Sequence, residues 1–233
     1  MSAERRGAAE RLVGDLVRLG AAGRLLDVGC SFGWLLEIAD RSGLEAYGVD
    51  PSESAVYSAL SRGLKVKRGH FPEEDWGRRD WAVITYMDVL EHIGNLDAAV
   101  AQTVDRLRPG GFLGVQVPIS TGTVFLAADV LERASLGRID GPLRRLLQLD
   151  FPYPHVHYFN LGSLKCLLRR FGLETVAFRF DPIATGNLVD RVSWRKVASA
   201  TERIEAAGLT LLLAAGRATR RNDLLRLIAR RKT

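Results

Sequence analysis

From Arg24 to Val117 short apolar bursts alternate with helical segments. This pattern constrains the fold more than any other feature of the chain. The strands are predicted at Arg24–Val28, Ala46–Val49, Leu64–Lys67, Trp81–Tyr86 and Phe112–Val117. Between them, helices are expected over Trp34–Ala39, from Pro51-Ser52 to Gly63, and over 95–107, the last stopped by Pro109-Gly110-Gly111. Pro at a helix start and Gly after its end follow the usual asymmetry. Strand–helix–strand repetition with right-handed crossovers gives a parallel sheet covered on both faces. Leu12, Val13, Leu16 and Val17 recur at helical spacing, so an amphipathic helix over 3–19 precedes the first strand.

After Pro118 the alternation breaks. Residues 119–159 hold two short helical stretches and then Phe151-Pro-Tyr-Pro-His-Val-His-Tyr-Phe159. That is too long for a simple connection and is expected to be an inserted lid. A helix over 161–170 capped by Asn160, a strand at Thr175–Phe180, a helix over 196–216 and a last strand at Leu224–Ala229 follow. The 233 residues are therefore expected to form one α/β domain, with a cofactor half at 22–118, the lid at 119–159 and a C-terminal part at 160–233.

Composition closes off other classes. Apolar residues make 47% and charged residues 26%, which excludes wholesale disorder. Two cysteines, Cys30 and Cys166, exclude a disulfide scaffold and fit a reducing, cytoplasmic setting. The N-terminus carries Glu4 and Glu10 and lacks a signal-peptide core. The longest weakly polar run, 206–216, is shorter than the ~20 residues a bilayer span needs.

The first strand leads into Asp27-Val-Gly-Cys-Ser-Phe-Gly-Trp34, and the second ends in Gly48-Val-Asp50. In open parallel sheets ligands bind beyond the carboxyl ends of strands where the winding direction switches. Gly29 and Gly33 permit a tight turn and close approach of a ligand. Asp50 can accept two hydrogen bonds from ribose hydroxyls, so the ligand is expected to contain a nucleoside. A nicotinamide dinucleotide is disfavoured: Ser31 replaces the middle glycine of its fingerprint and Trp34 follows the last. Asp27 suits a cationic ammonium better than a pyrophosphate.

These runs resemble class I S-adenosylmethionine-dependent methyltransferases. Met87-Asp-Val-Leu-Glu-His92, Leu107-Arg-Pro-Gly-Gly-Phe112 and His155-Val-His-Tyr-Phe159 are most similar to the ubiquinone-biosynthesis-like branch that methylates small molecules. The resemblance implies a Rossmann-like, doubly wound, mostly parallel seven-stranded sheet with the last strand inserted antiparallel. It implies S-adenosylmethionine as cofactor, with Asp27, Gly29, Cys30, Ser31 and Gly33 at its methionine end and Asp50-Pro51 at its ribose. His70 stands where the family often has an acidic residue near the adenine, and Phe71 is a candidate to stack there. Met87 and Asp88 complete the expected cofactor contacts. Met87-Asp88-Val89-Leu90 differs from the Asn/Asp-Pro-Pro-aromatic run of enzymes that methylate base amines, so no nucleic-acid partner is expected.

Four histidines occur, and all of them can lie at the carboxyl edge. Histidine titrates near working pH and suits a general base for a hydroxyl nucleophile. His92 is the first candidate, His157 the second and His155 the third. Glu91 and His92 are adjacent, which is awkward for a shared ion on a helix, and no spaced ligand set is evident, so no metal is expected. The expected function is methyl transfer to a small molecule at a hydroxyl oxygen. The alternatives are N-methylation or a non-catalytic cofactor-fold partner subunit. The net charge is +6, and Arg217, Arg220, Arg221, Arg226, Arg230, Arg231 and Lys232 crowd the C-terminal region. That region is expected to be a solvated edge or a contact with anionic membrane at the bilayer periphery. The oligomeric state is not encoded in any pattern of the chain.

Overall fold

A computed structural model describes residues 3–182 except 75, 139 and 150–152, isolated positions between 207 and 218, and residues 222–233. The helices are α1 (Ala3–Arg18), α2 (Trp34–Arg41), α3 (Glu53–Leu60), α4 (Leu96–Arg106), α5 (Thr123–Ala134), α6 (Gly141–Leu146) and α7 (Leu161–Arg170). The strands are β1 (Gly23–Val28), β2 (Leu44–Asp50), β3 (Val66–Arg68), β4 (Trp81–Met87), β5 (Leu107–Pro118), β6 (Leu173–Asp181) and β7 (Leu224–Arg231). A 3-10 turn spans Leu90–His92. The sheet order is β3-β2-β1-β4-β5-β7-β6, with β7 antiparallel to both neighbours. The doubly wound, Rossmann-like sheet expected from the sequence is present.

Alternation along each strand sends residues to two cores. Leu26, Ile84, Tyr86, Val115 and Leu227 pack under α4 and α7. Leu25, Val83, Phe112 and Ile228 pack under α1 and α2. β5 starts earlier than expected, directly at the end of α4. Pro109-Gly110-Gly111 forms the irregular start of this strand, where a Cβ on Gly111 would lie 2.9 Å from the Arg108 carbonyl oxygen.

The lid begins where β5 ends. Val124 N–H donates to Asp223 Oδ1 at 2.7 Å, so a residue just before β7 caps α5. Ile119 N–H donates to the Asp223 carbonyl at 3.0 Å, and Ser120 N–H to the Phe159 carbonyl at 2.9 Å, which ties both ends of the insertion to the sheet edge.

The basic C-terminus differs from its expected solvated strip. Arg226 is buried between Asp15 of α1 (3.3 Å) and Asp181 of β6 (3.4 Å). Arg230 donates to the Gly110 carbonyl at 3.1 Å, and Arg231 to the Val104 carbonyl at 2.6 Å. These three cations serve the fold because strand alternation turns Arg226 toward α1 and because irregular backbone at the α4–β5 junction needs donors. Arg217, Arg220 and Arg221 lie outside the described residues, as does most of the helix expected over 196–216. Its described positions from 207 to 218 are helical.

Candidate active site

The parallel register brings Val28, Val49 and Tyr86 side by side, so the turns after β1, β2 and β4 share one edge. β1 and β4 flank the point where the winding reverses, which is where such sheets open a crevice.

The turn after β1 has three residues in left-handed conformation: Gly29 (φ 73°), Ser31 (φ 47°) and Gly33 (φ 76°). Gly29 N–H and Cys30 N–H both donate to the Val49 carbonyl, at 2.8 and 3.2 Å. Ser31 N–H donates to Asp50 Oδ2 at 2.8 Å, while Ser52 N–H donates to Asp50 Oδ1, also at 2.8 Å. One buried carboxylate thus clasps the turns after β1 and β2. Each of its oxygens retains a lone pair for a further donor, such as a ribose hydroxyl.

Two expectations change here. A Cβ on Gly29 would overlap the Val89 side chain, so this glycine makes room for protein as well as permitting the turn. Cys30 turns its side chain inward, where a Cβ on Gly48 would meet its sulfur at 2.5 Å. Burial pushes its thiol pKa up, and Asp27 and Asp50 push it further, which leaves it inert.

Asp27 lies beneath the turn, 3% exposed, and accepts the Thr85 hydroxyl at 2.7 Å. Burial pushes its carboxyl up to about 7, opposed by the Thr85 hydrogen bond and reinforced by the charge on Asp50. A cationic ligand would favour the ionised form.

At the end of β4, Met87 packs toward the α1–α2 core. Asp88 takes a left-handed conformation (φ 57°), held by its N–H on the Gln116 carbonyl at 2.9 Å and by Gln116 Nε2 on its Oδ1 at 3.1 Å. Glu91, on the 3-10 turn, buries its carboxyl and accepts at its backbone carbonyl from Val156 and His157 at 3.0 and 3.1 Å. Those two bonds lay the end of the lid across the β4 turn. His155 then meets His92, with ring centroids 4.7 Å apart. Glu91, His92 and His155 each present an electron-pair atom, all within 4.8 Å of one another. Burial raises the Glu91 pKa well above the carboxylate range, and Asp88 adds to this. Burial lowers His155 to about 4, helped by His92. Such a trio can take a proton, a ligand hydroxyl or a divalent cation. The adjacency of Glu91 and His92 excludes little on a 3-10 turn, because the third group arrives from the lid.

His157 goes elsewhere. Its Nε2 lies 3.4 Å from the Gly94 carbonyl, in a cleft of about 660 Å³ between the start of α4 and α7.

The methyltransferase-domain family profile matches residues 1–177. The chain belongs to the class I S-adenosylmethionine-dependent methyltransferases. It is 30% identical over 170 residues to the ubiquinone biosynthesis O-methyltransferase of Bordetella avium (strain 197N), covering 69% of this chain and 67% of that one. The namesake from Bradyrhizobium sp. (strain ORS 278) is 33% identical over 100 residues, covering 40% of this chain and 38% of that one. The chain thus aligns over well under two thirds of that relative's length. Among solved structures, an S-adenosylmethionine-dependent methyltransferase from Mesorhizobium loti superposes with a TM-score of 0.65 at 21% identity, over 97% of this chain and 99% of that one. The [4+2]-cyclase SpnF superposes with a TM-score of 0.59 at 17% identity, over 97% and 83%. The second likeness shows that this fold hosts more than one chemistry.

The groups expected at the adenine, His70 and Phe71, lie just after β3. His70 is exposed after β3. The Phe71 ring is occupied by the fold: it meets Tyr86 edge-on at 6.3 Å, and the Arg106 guanidinium lies 5.4 Å over it. Stacking on an adenine is therefore not its evident task. Pro51 is half-buried and leads into Ser52, whose hydroxyl caps α3. Sequence reasoning missed Thr85, Val89 and Gln116; Tyr158, a candidate pocket aromatic, instead bonds His155 and the Leu146 carbonyl. Gln116 and Thr85 carried a signal, each as a polar residue inside an apolar strand.

Proposed function

We propose that the chain transfers the methyl group of S-adenosylmethionine to a hydroxyl oxygen of a small molecule. The observation that carries this reading is that the turns bearing Asp27 and Asp50 and the turn bearing His92, which His155 meets, share one sheet edge, with Val89 of the latter packed against Gly29. The ubiquinone biosynthesis O-methyltransferase relatives support oxygen as the acceptor atom.

In this reading Asp50 binds the ribose and ionised Asp27 faces the ammonium end of the cofactor. The turn residues Gly29, Ser31 and Gly33 hold the backbone shape, and Met87 and Asp88 wall the crevice. The cofactor supplies an electrophilic methyl sulfonium. The protein contributes alignment of the hydroxyl with it and exclusion of water under the lid. His92 takes the hydroxyl proton as the O–C bond forms. His155, held neutral by burial, acts as a hydrogen-bond acceptor.

Labelled S-adenosylmethionine incubated with hydroxyl-bearing and amine-bearing small molecules tests this. Label on hydroxyl compounds is expected, and His92→Ala should slow it about 10²–10⁴-fold with cofactor affinity retained. His157→Ala should leave the rate near wild type. Label confined to amines would favour N-methylation. Binding without transfer would favour a partner subunit.

Peripheral contact with an anionic membrane is a second reading, now favoured by the lid more than by the tail. Leu126, Val130, Leu131 and Leu136 are exposed on and after α5, beside exposed Arg133 and Arg138. Salt-sensitive co-sedimentation with anionic vesicles, reduced by Val130→Asp, is the expected result. No pelleting at low salt would remove this reading.

A further inference from the structure

A carbonyl oxygen has no proton to give. His92 Nδ1 lies 3.1 Å from the Pro154 carbonyl, so this nitrogen carries the hydrogen. For His155 the same logic runs through Tyr158, beside a bond of the ring to the Leu146 carbonyl itself. Its Nδ1 lies 3.1 Å from the Tyr158 hydroxyl. That hydroxyl donates its only proton to the Leu146 carbonyl. Tyr158 Oη therefore has only lone pairs left for His155, and His155 Nδ1 must be the donor. A neutral imidazole carries one N–H, so Nε2 is bare in both rings.

We infer that Tyr158 is a positioning residue that holds His155 in its Nδ1–H tautomer while α6 of the lid is docked. This rests on the proposed hydroxyl methylation for its catalytic meaning, since a bare Nε2 is what accepts a hydroxyl proton or hydrogen bond. The dependence on the lid is local. Leu146 is the last residue of α6, and His155 N–H donates to the next carbonyl, Leu147, at 2.9 Å. The Tyr158 ring also packs against Phe125 of α5, with centroids 4.7 Å apart. Both lid helices thus bear on one tyrosine.

Undocking α6 removes the acceptor for the Tyr158 proton. The hydroxyl can then donate to His155 Nδ1, and the imidazole proton relocates to Nε2 through solvent. His155 would then present a donor in place of an acceptor. The lid would in this way couple closure to the proton-accepting state of the site without moving His92, whose partner is the Pro154 carbonyl.

Two-bond proton–nitrogen correlation spectra of protein with ¹⁵N-labelled imidazoles test this at neutral pH. The sample is dialysed against chelator so that no adventitious ion imposes a tautomer, and His92→Ala and His155→Ala assign the signals. Both His92 and His155 are expected to show protonated Nδ1 and bare Nε2. In Tyr158→Phe, His155 should shift toward the Nε2–H pattern while His92 keeps its own, which also controls for folding. A wild-type His155 with protonated Nε2 would overturn the inference whether or not the variant folds. So would an unchanged His155 pattern in folded Tyr158→Phe. The measurement uses neither methyl donor nor acceptor, so it fails or succeeds independently of the proposed transfer.

Discussion

Val89 fills the space that a side chain on Gly29 would need. A Cβ built on Gly29 overlaps the Val89 Cγ2 methyl and lies 3.4 Å from its Cγ1. The turn after β1 and the turn after β4 are therefore locked together by one missing and one branched side chain. The crevice between them owes its shape to that fit.

Gly29→Ala should accordingly destabilise the protein as well as weaken cofactor binding. The left-handed backbone costs about 1–2 kcal/mol for alanine and the overpacking about 1–3 kcal/mol more. Val89→Ala in the same chain should recover the second part only. Denaturant titrations of the two single variants and the double variant check this. Strict additivity of the two changes would contradict the packing.

Asp27 predicts a pH dependence of both stability and ligand affinity. Its carboxyl is near 7 in the folded chain, against 3.8 for an ordinary aspartate. The folded state therefore holds a proton that the unfolded state has lost. This contribution to stability is fully present below the unfolded value and fades as pH rises to about 7. Cofactor binding should run the other way, tightening as pH rises to about 7, with proton release on binding below it. Titration calorimetry in buffers of different ionisation enthalpy reads that proton directly. Asp27→Asn should remove both slopes.

Arg226 should prove a stability residue. Its guanidinium is 2% exposed and holds Asp15 and Asp181, joining α1 to the last two strands. Arg226→Met leaves two carboxylates near one another without their shared cation, at a cost of about 3–5 kcal/mol. Adding Asp15→Asn and Asp181→Asn should recover most of the loss. Chemical denaturation of the single and triple variants decides. A triple variant no more stable than Arg226→Met would show that the guanidinium acts through its packing.

Local pattern carried the sheet and the clasp. Alternating strands and helices gave seven strands near their observed places, and Asp27, Gly29, Gly33 and Asp50 lie within two short runs at strand ends. Two kinds of feature escaped. One is contact between distant segments: nothing local says that His155 returns to His92 or that Tyr158 reaches α6. The other is the partner of a polar side chain within an apolar strand. Gln116 and Arg226 lie on the face opposite Val115, Val117, Leu225 and Leu227, which fill the core under α4 and α7, and that alternation was legible. The partners that satisfy them come from other elements and were not. Phe71 shows the converse, an aromatic at a suitable place whose ring the core has already claimed.

Asp50 carries the central claim, a cofactor seated across the turns after β1 and β2. Calorimetric titration of S-adenosylmethionine into the wild type, Asp50→Asn and Asp50→Ala tests it most directly. One site per chain is expected. Loss of charge-assisted hydrogen bonds to the ribose, each worth about 1.5–3 kcal/mol, should weaken binding by about tenfold or more in the asparagine variant and further in the alanine variant. Unchanged affinity in a folded Asp50→Ala protein would place the cofactor elsewhere.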